Sequence, residues 1–172
     1  MPPDSIPAKV IEAAPRLWSQ AGQAYWVPVT GGSMLPFLRP GDEVQVNPLP
    51  ARLRRGDLVL LRGQGGLVVH RVLWSRLQPG VAQVMTQGDH NRQPDAVTSA
   101  DNLLGRVRAL RRAGRTLAVD NRRWTAVGWL IASALLLLNH LSANTGHLAF
   151  VCRTLAGAGR RLLAVFRAVA HP

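Results

Sequence analysis

A hydroxyl, an imidazole and two carboxylates follow one another along this chain, and together they could hydrolyse an acyl bond. Ser33 comes after Gly31 and Gly32 in the run Thr30-Gly-Gly-Ser-Met-Leu-Pro-Phe-Leu-Arg-Pro-Gly-Asp. Glycines at such a point allow a tight turn and a close approach of backbone amides to a substrate carbonyl, with N–H groups free to face an oxyanion. His70 lies inside the apolar stretch Gly66-Leu-Val-Val-His-Arg-Val, and a neutral imidazole there can accept a proton. The polar run Gly88-Asp-His-Asn-Arg-Gln-Pro-Asp adds Asp89 and Asp95. A serine hydroxyl is a weak nucleophile that needs a base, and the base needs a partner that fixes its tautomer and stabilises its charged form. Each segment alone has a plainer reading, as a loop, a core histidine and a surface turn. Taken together they supply a nucleophile, a base and an orienting acid, with Asp89 and Asp95 both open for the last role. This chemistry calls for no metal and no cofactor.

The elements that must position these groups read as β structure from Tyr25 to about Asp120. Short apolar runs, VPV (27–29), EVQVN (43–47), DLVLLR (57–62), GLVVHRVLW (66–74), VAQVMTQ (81–87), GRVRALR (105–111) and RTLAV (115–119), are separated by Pro-Gly, Gly-Asp and Gly-Gly pairs. Many short strands at close spacing predict a small barrel or sandwich and argue against a βαβ fold. Residues 10–24 read as a short helix interrupted by Pro15, inside an N-terminal segment 1–24 that has no conventional signal peptide. After Asp120 the texture changes. No Asp, Glu, Lys or Arg occurs from Trp124 to Cys152, and residues 124–143 are long and apolar enough for a membrane helix. Residues 153–170 place Arg153, Arg160, Arg161 and Arg167 among Leu, Val and Phe, as in a basic interfacial helix. The domain reading is therefore an N-terminal segment (1–24), a β domain (25–120) and a hydrophobic, basic helical tail (121–172), with membrane lipid as a partner of the tail.

Composition narrows the alternatives. The 172 residues are 47% hydrophobic and 17% charged, enough apolar material for a packed core and too much for a disordered chain. A single cysteine, Cys152, excludes a disulfide framework and a cysteine-rich zinc module. The net charge of +12 invites a nucleic-acid or anionic-membrane reading, but all the basic residues except Lys9 are Arg amid abundant Ala, Gly and Leu. A GC-rich coding bias explains that pattern, so no nucleic-acid partner is expected. Lys9, in a Pro-rich stretch, is the sole lysine available to any lysine-dependent mechanism.

Four ordered boxes in this chain resemble those of type I signal peptidases, in the S24/S26 serine peptidase clan that also includes the self-cleaving SOS repressors. They are Ser33-Met34-x-Pro36 with Gly41-Asp42, then Gly56-Asp57-Leu-Val, then His70-Arg71-Val72, then Gly88-Asp89-x-Asn91 with Asp95. The histidine is similar to that of the archaeal, endoplasmic-reticulum and sporulation-associated Ser-His-Asp branch, whereas the commoner bacterial branch has a lysine there. The resemblance spans about residues 26–110 and implies a mainly β, coiled-barrel catalytic domain, here carrying an α-helical hydrophobic C-terminal tail. It implies Ser33 as nucleophile, His70 as general base, and Asp95 ahead of Asp89 as the orienting acid. It further implies an oxyanion hole from the Ser33 amide with the Gly32 and Gly31 backbone. Met34 and Leu35 would wall a pocket for small side chains, since the family cuts after Ala-x-Ala-like sequences.

The chain departs from the family pattern in three places. Gly31 replaces a serine whose side chain donates to the oxyanion in many relatives, leaving backbone donors and Thr30 as the candidate to compensate. His90 stands where relatives often have Asn and is a rival base. The apolar segment follows the catalytic region, whereas signal peptidases usually carry an N-terminal membrane helix. Arg122 and Arg123 before that segment hold the β domain on the cytoplasmic side by the positive-inside rule, while Arg153 to Arg167 pull the opposite way. The expected activity is a membrane-associated serine endopeptidase that cleaves signal or leader peptides of preproteins after small residues. A cytosolic-face peptidase maturing one dedicated peptide, and an inactive barrel serving as a binding module with a membrane-binding tail, are the competing readings.

Overall fold

The computed structural model describes residues 24–63, 66–78 and 81–144. The helix expected before Ala24 and the basic helix expected at 153–170 lie outside the described residues. Eight strands account for the β texture: β1 (Tyr25–Pro28), β2 (Glu43–Asn47), β3 (Leu58–Gly63), β4 (Gly66–Gln78), β5 (Val81–Gln87), β6 (Thr98–Ser99), β7 (Leu103–Arg112) and β8 (Arg115–Ala118). They form one antiparallel sheet in the order β1-β2-β7-β3-β4-β5-β6, with β8 also on β7. The sheet is curled into a half-barrel. A strand has only two edges, so β2 occupies one edge of β7, and β3 and β8 divide the other.

Bulges supply part of the curl. The register leaves Leu104 and Arg108 on β7 and Leu73 on β4 without a single opposed partner. An extra residue of this kind bends its strand and increases the local twist. Among the described residues, the hairpin β1–β2 and the meander β3–β6 are joined in the sheet through β7.

Alternation and burial agree. Val44 and Val46 of β2 point into one cluster with Leu58 and Leu60 of β3, Leu104, Val107 and Leu110 of β7, and Met34 and Leu38. On the opposite face of β3, Val59 and Leu61 join Val72, Val84 and Leu103 in a second cluster. The continuous apolar run Leu58-Val-Leu-Leu is thus a strand buried on both faces.

The two Gly-Asp boxes build the same turn twice. In Arg39-Pro-Gly-Asp42 and Arg54-Arg-Gly-Asp57 the aspartate N–H donates to the carbonyl of the arginine three residues back, at 3.0 and 3.1 Å. In each, the arginine N–H donates to the aspartate carboxylate, at 2.8 and 2.9 Å. Gly41 and Gly56 both have φ of 92°, the left-handed value this turn demands at its third position and that glycine adopts without a steric cost. These boxes are therefore architectural. Asp42 is buried and also holds Arg112 of β7 through two bonds of 2.8 and 2.6 Å, while the same guanidinium donates to the Phe37 carbonyl at 2.9 Å.

Helix α1 (Arg122–Asn144) is long and apolar, and residues 122–142 could span a membrane by length and composition. Asn121 caps it, since its side-chain oxygen accepts the Trp124 N–H at 3.0 Å. The chain divides into two compact units at residues 133 and 134, so the first turns of α1 belong with the sheet. The later described turns, from Ala134, belong to the second unit and expose Leu137.

Candidate active site

Ser33 lies on the turn that follows β1. The Leu35 N–H donates to the Gly32 carbonyl at 3.1 Å and the Leu38 N–H to the Met34 carbonyl at 2.9 Å, so the chain coils tightly around the serine. Met34 and Leu38 sink into the core on either side of Leu35 and pin this coil. From the other direction the His90 N–H donates to the Ser33 carbonyl at 2.8 Å. Gly88 permits that approach, because a Cβ there would stand 2.6 Å from the Ser33 carbonyl oxygen.

His70 is opposite Val59 on β4, and its side chain is buried. Its Nε2 lies 3.1 Å from Ser33 Oγ and its Nδ1 lies 2.6 Å from Asp95 Oδ2. An ionised carboxylate only accepts hydrogen bonds, so Nδ1 carries the proton and Nε2 is left to accept from the Ser33 hydroxyl. Asp95 is held in turn by β5. The Thr86 hydroxyl donates to Asp95 Oδ2 at 2.6 Å, and the Asp95 N–H donates to the Thr86 carbonyl at 2.8 Å. Burial by itself raises the Asp95 carboxyl. The hydrogen bonds from His70 and Thr86 and the attraction of a charged imidazole outweigh that burial and hold the group below the usual carboxylate range.

The two aspartates of the 88–95 loop thus part company. Asp89 makes a bidentate pair with Arg71, Oδ1 to Nε at 2.7 Å and Oδ2 to Nη2 at 2.6 Å, and both side chains are buried. Both ring nitrogens of His70 are engaged elsewhere, so Asp89 does not orient it. His90 approaches through its backbone; its side chain is exposed, and the imidazole bonded to Ser33 is that of residue 70.

Two other expectations, for Met34 and for the glycine pair, change with the coordinates in view. Met34 is only 2% exposed, and its sulfur accepts the Asp89 N–H at 3.5 Å, so it is a core anchor of the turn and offers no open pocket wall. Leu35 is partly exposed and lies against Gly32, as a wall residue could. Gly31 and Gly32 do not take the left-handed backbone that would require glycine, and a Cβ on Gly31 would meet nothing within 4 Å. The Ser33, Gly32 and Gly31 amides have no hydrogen-bond acceptor among the described residues.

Sequence reasoning missed two supporting residues. Thr86 shares its strand face with the buried Val84, and a hydroxyl at an inward position of a strand is a polar group in need of a partner. Arg71, next to His70, is a buried guanidinium that must be paired, and it spends its donors on Asp89 and on the Gly56 carbonyl at 3.0 Å. Among the described residues no cluster of His, Cys, Asp and Glu could hold a metal ion.

Asp42 behaves like Asp95. Burial raises its carboxyl, and the bonds from Arg112 and the Arg39 N–H bring it below the usual range. In the unfolded chain both groups titrate near pH ~4, so on acidification the unfolded state takes up these protons first. The stability they contribute is full at neutral pH and drains as pH falls from about 4 through their lower folded values. Asp42→Asn should therefore flatten the acid limb of a plot of unfolding midpoint against pH, while leaving the slope above pH ~6 unchanged.

No curated protein matches the chain. A family match covers residues 4–82, which hold Ser33 and His70 and stop short of the loop with Asp95. The matching family model is Peptidase S24-like, so just under half of the chain is similar to that family.

Proposed function

We propose that this chain is a serine endopeptidase that works through an acyl-enzyme and cuts signal or leader peptides after small residues. The observation that carries the reading is the unbroken relay of Ser33 Oγ, His70 and Asp95, at 3.1 and 2.6 Å. As the Ser33 oxygen attacks the scissile carbonyl carbon, its proton passes to His70 Nε2, and Asp95 stabilises the resulting imidazolium. The Ser33 amide, with the Gly32 and Gly31 backbone, receives the oxyanion. When the C–N bond breaks, His70 returns the proton to the leaving amine. Water then takes the place of that amine, and the same base activates it to hydrolyse the ester.

The S24-like domain also occurs in repressors and in non-catalytic proteins. A binding module has no need for a serine hydroxyl on a buried histidine that is itself seated on a low-lying carboxylate, and this favours the enzyme. The apolar helix supports association with a membrane through the C-terminal tail. The test is labelling of the full chain, in detergent micelles, by a serine-directed fluorophosphonate together with cleavage of a leader peptide ending in Ala-x-Ala. Wild type is expected to label and cleave, and Ser33→Ala and His70→Ala are each expected to lose ~10³-fold or more of the cleavage rate. Undiminished cleavage by Ser33→Ala overturns the reading.

A further inference from the structure

The first turns of α1 are built into the back of the Ser33 turn. Trp124 meets Phe37 edge to face, with ring centroids 5.3 Å apart and planes at 67°. Phe37 is four residues beyond Ser33 in the same coil, and its opposite partner is Arg71, whose guanidinium lies 5.5 Å from the ring centroid. One helical turn past Trp124, Gly128 sits directly on Gly56, backbone against backbone. A Cβ on Gly128 would stand 2.7 Å from the Gly56 oxygen and 3.1 Å from Arg71 Nη1. Arg71 in turn is the chain neighbour of His70 and holds Asp89, so one guanidinium touches the base strand, the acid loop, the Phe37 ring and the helix seat. The cleft under the helix, lined by Phe37, Gly56, Arg71, Trp124, Gly128 and Ile131 among others, includes none of Ser33, His70 and Asp95. The helix therefore reaches the triad through what it supports, not by contact.

We infer that Trp124 and Gly128 are positioning residues for catalysis: docking of the first turns of α1 sets the Ser33 turn and the His70–Arg71 strand at reacting distance. The inference rests on the peptidase reading above. Physically, a displacement of about 1 Å between nucleophile and base is enough to cost ~100-fold in rate without a change in the groups themselves. The side of the helix that turns away from the sheet, marked by Leu130 at 60% exposure, has no such role.

The experiment compares Trp124→Ala, Trp124→Phe, Gly128→Leu and Leu130→Ala with wild type as full chains in micelles. Phosphonylation rate constants of Ser33 and leader-peptide kcat and KM are normalised to titrated active sites, and the downfield His70 Nδ1 proton is followed by NMR. Trp124→Ala and Gly128→Leu should lower acylation and kcat by about tenfold or more with KM little changed, and should shift the Nδ1 proton signal. Trp124→Phe should restore the rate to within about threefold, and Leu130→Ala should leave it intact. A purely structural role reduces the number of titratable sites but leaves the rate per site alone, and that outcome overturns the inference. If Gly128→Leu does not fold, Trp124→Ala at a half-buried position carries the comparison. Failure of wild type to label sinks the peptidase reading and this inference together, whereas labelling of both variants at the wild-type rate sinks the inference alone.

Discussion

Asp95→Asn is expected to reduce kcat by ~10³- to 10⁴-fold while substrate binding and the fold stay in place. Two effects combine. The neutral amide no longer stabilises the imidazolium that forms when His70 takes the serine proton. It can also present its NH2 to Nδ1, which forces the proton to Nε2 and leaves nothing to accept from Ser33. Thr86 makes this second outcome available, because its hydroxyl can accept from the same amide group that it now donates to as a carboxylate. Thr86→Val removes one of the donors that keep Asp95 acidic and should cost far less, about tenfold. Pre-steady-state acylation kinetics check both, since they isolate the step in which the proton moves. If Asp95→Asn remained within about tenfold of wild type while Asp89→Asn was inactive but folded, the assignment of the orienting acid would be reversed.

Asp89→Ala should act on a different quantity. Its partner Arg71 is buried with a side-chain exposure of 3%, so removal of the carboxylate strands a guanidinium away from water. Breaking a buried pair from one side costs ~3–5 kcal/mol, a large share of the ~5–15 kcal/mol that holds a domain of this size together. The change is read as a fall in the urea midpoint at constant slope. The double replacement Arg71→Met/Asp89→Leu removes both charges and should recover most of the loss, because well-packed apolar groups of similar size often match a buried ion pair. A double variant no more stable than Asp89→Ala would mean that the bond from Arg71 to the Gly56 carbonyl, not the ion pair, is what matters at this point.

The strands were legible in the sequence where burial is one-sided or complete. EVQVN and VAQVMTQ emerge as strands at the residues where the apolar runs between turn pairs placed them, and the run Leu58-Val-Leu-Leu is the strand buried on both faces. β4 runs beyond Trp74 to Gln78 because its pairing with β5 continues past Ser75 and Arg76, which interrupt the apolar run. β6, two residues long, has no pattern to read and exists only as a partner of β5. Within the site, Ser33 and His70 stood out because a hydroxyl after two glycines and an imidazole in an apolar strand are conspicuous types in conspicuous places. The residues alone left Asp89 and Asp95 both open, and only the resemblance ranked Asp95 first. Both carboxylates sit in one loop, and which of them meets the histidine depends on Thr86 and Arg71, whose places in the fold are set by the pairing of β4 with β5. Met34 was misread for a related reason: a side chain beside a nucleophile can face the ligand or the core, and spacing does not say which.

The place of β7 between the two halves of the sheet has a consequence for how the protein comes into being. The hairpin side brings the alcohol and the meander side brings the imidazole and the acid, and their pairing partner is not synthesised until residues 103–112. Contacts so distant along the chain form late and slowly. A nascent polypeptide still lacking this strand holds all three reactive groups but no frame to bring them into register. On the peptidase reading proposed above, hydrolytic competence would therefore wait until this late strand has been made and paired.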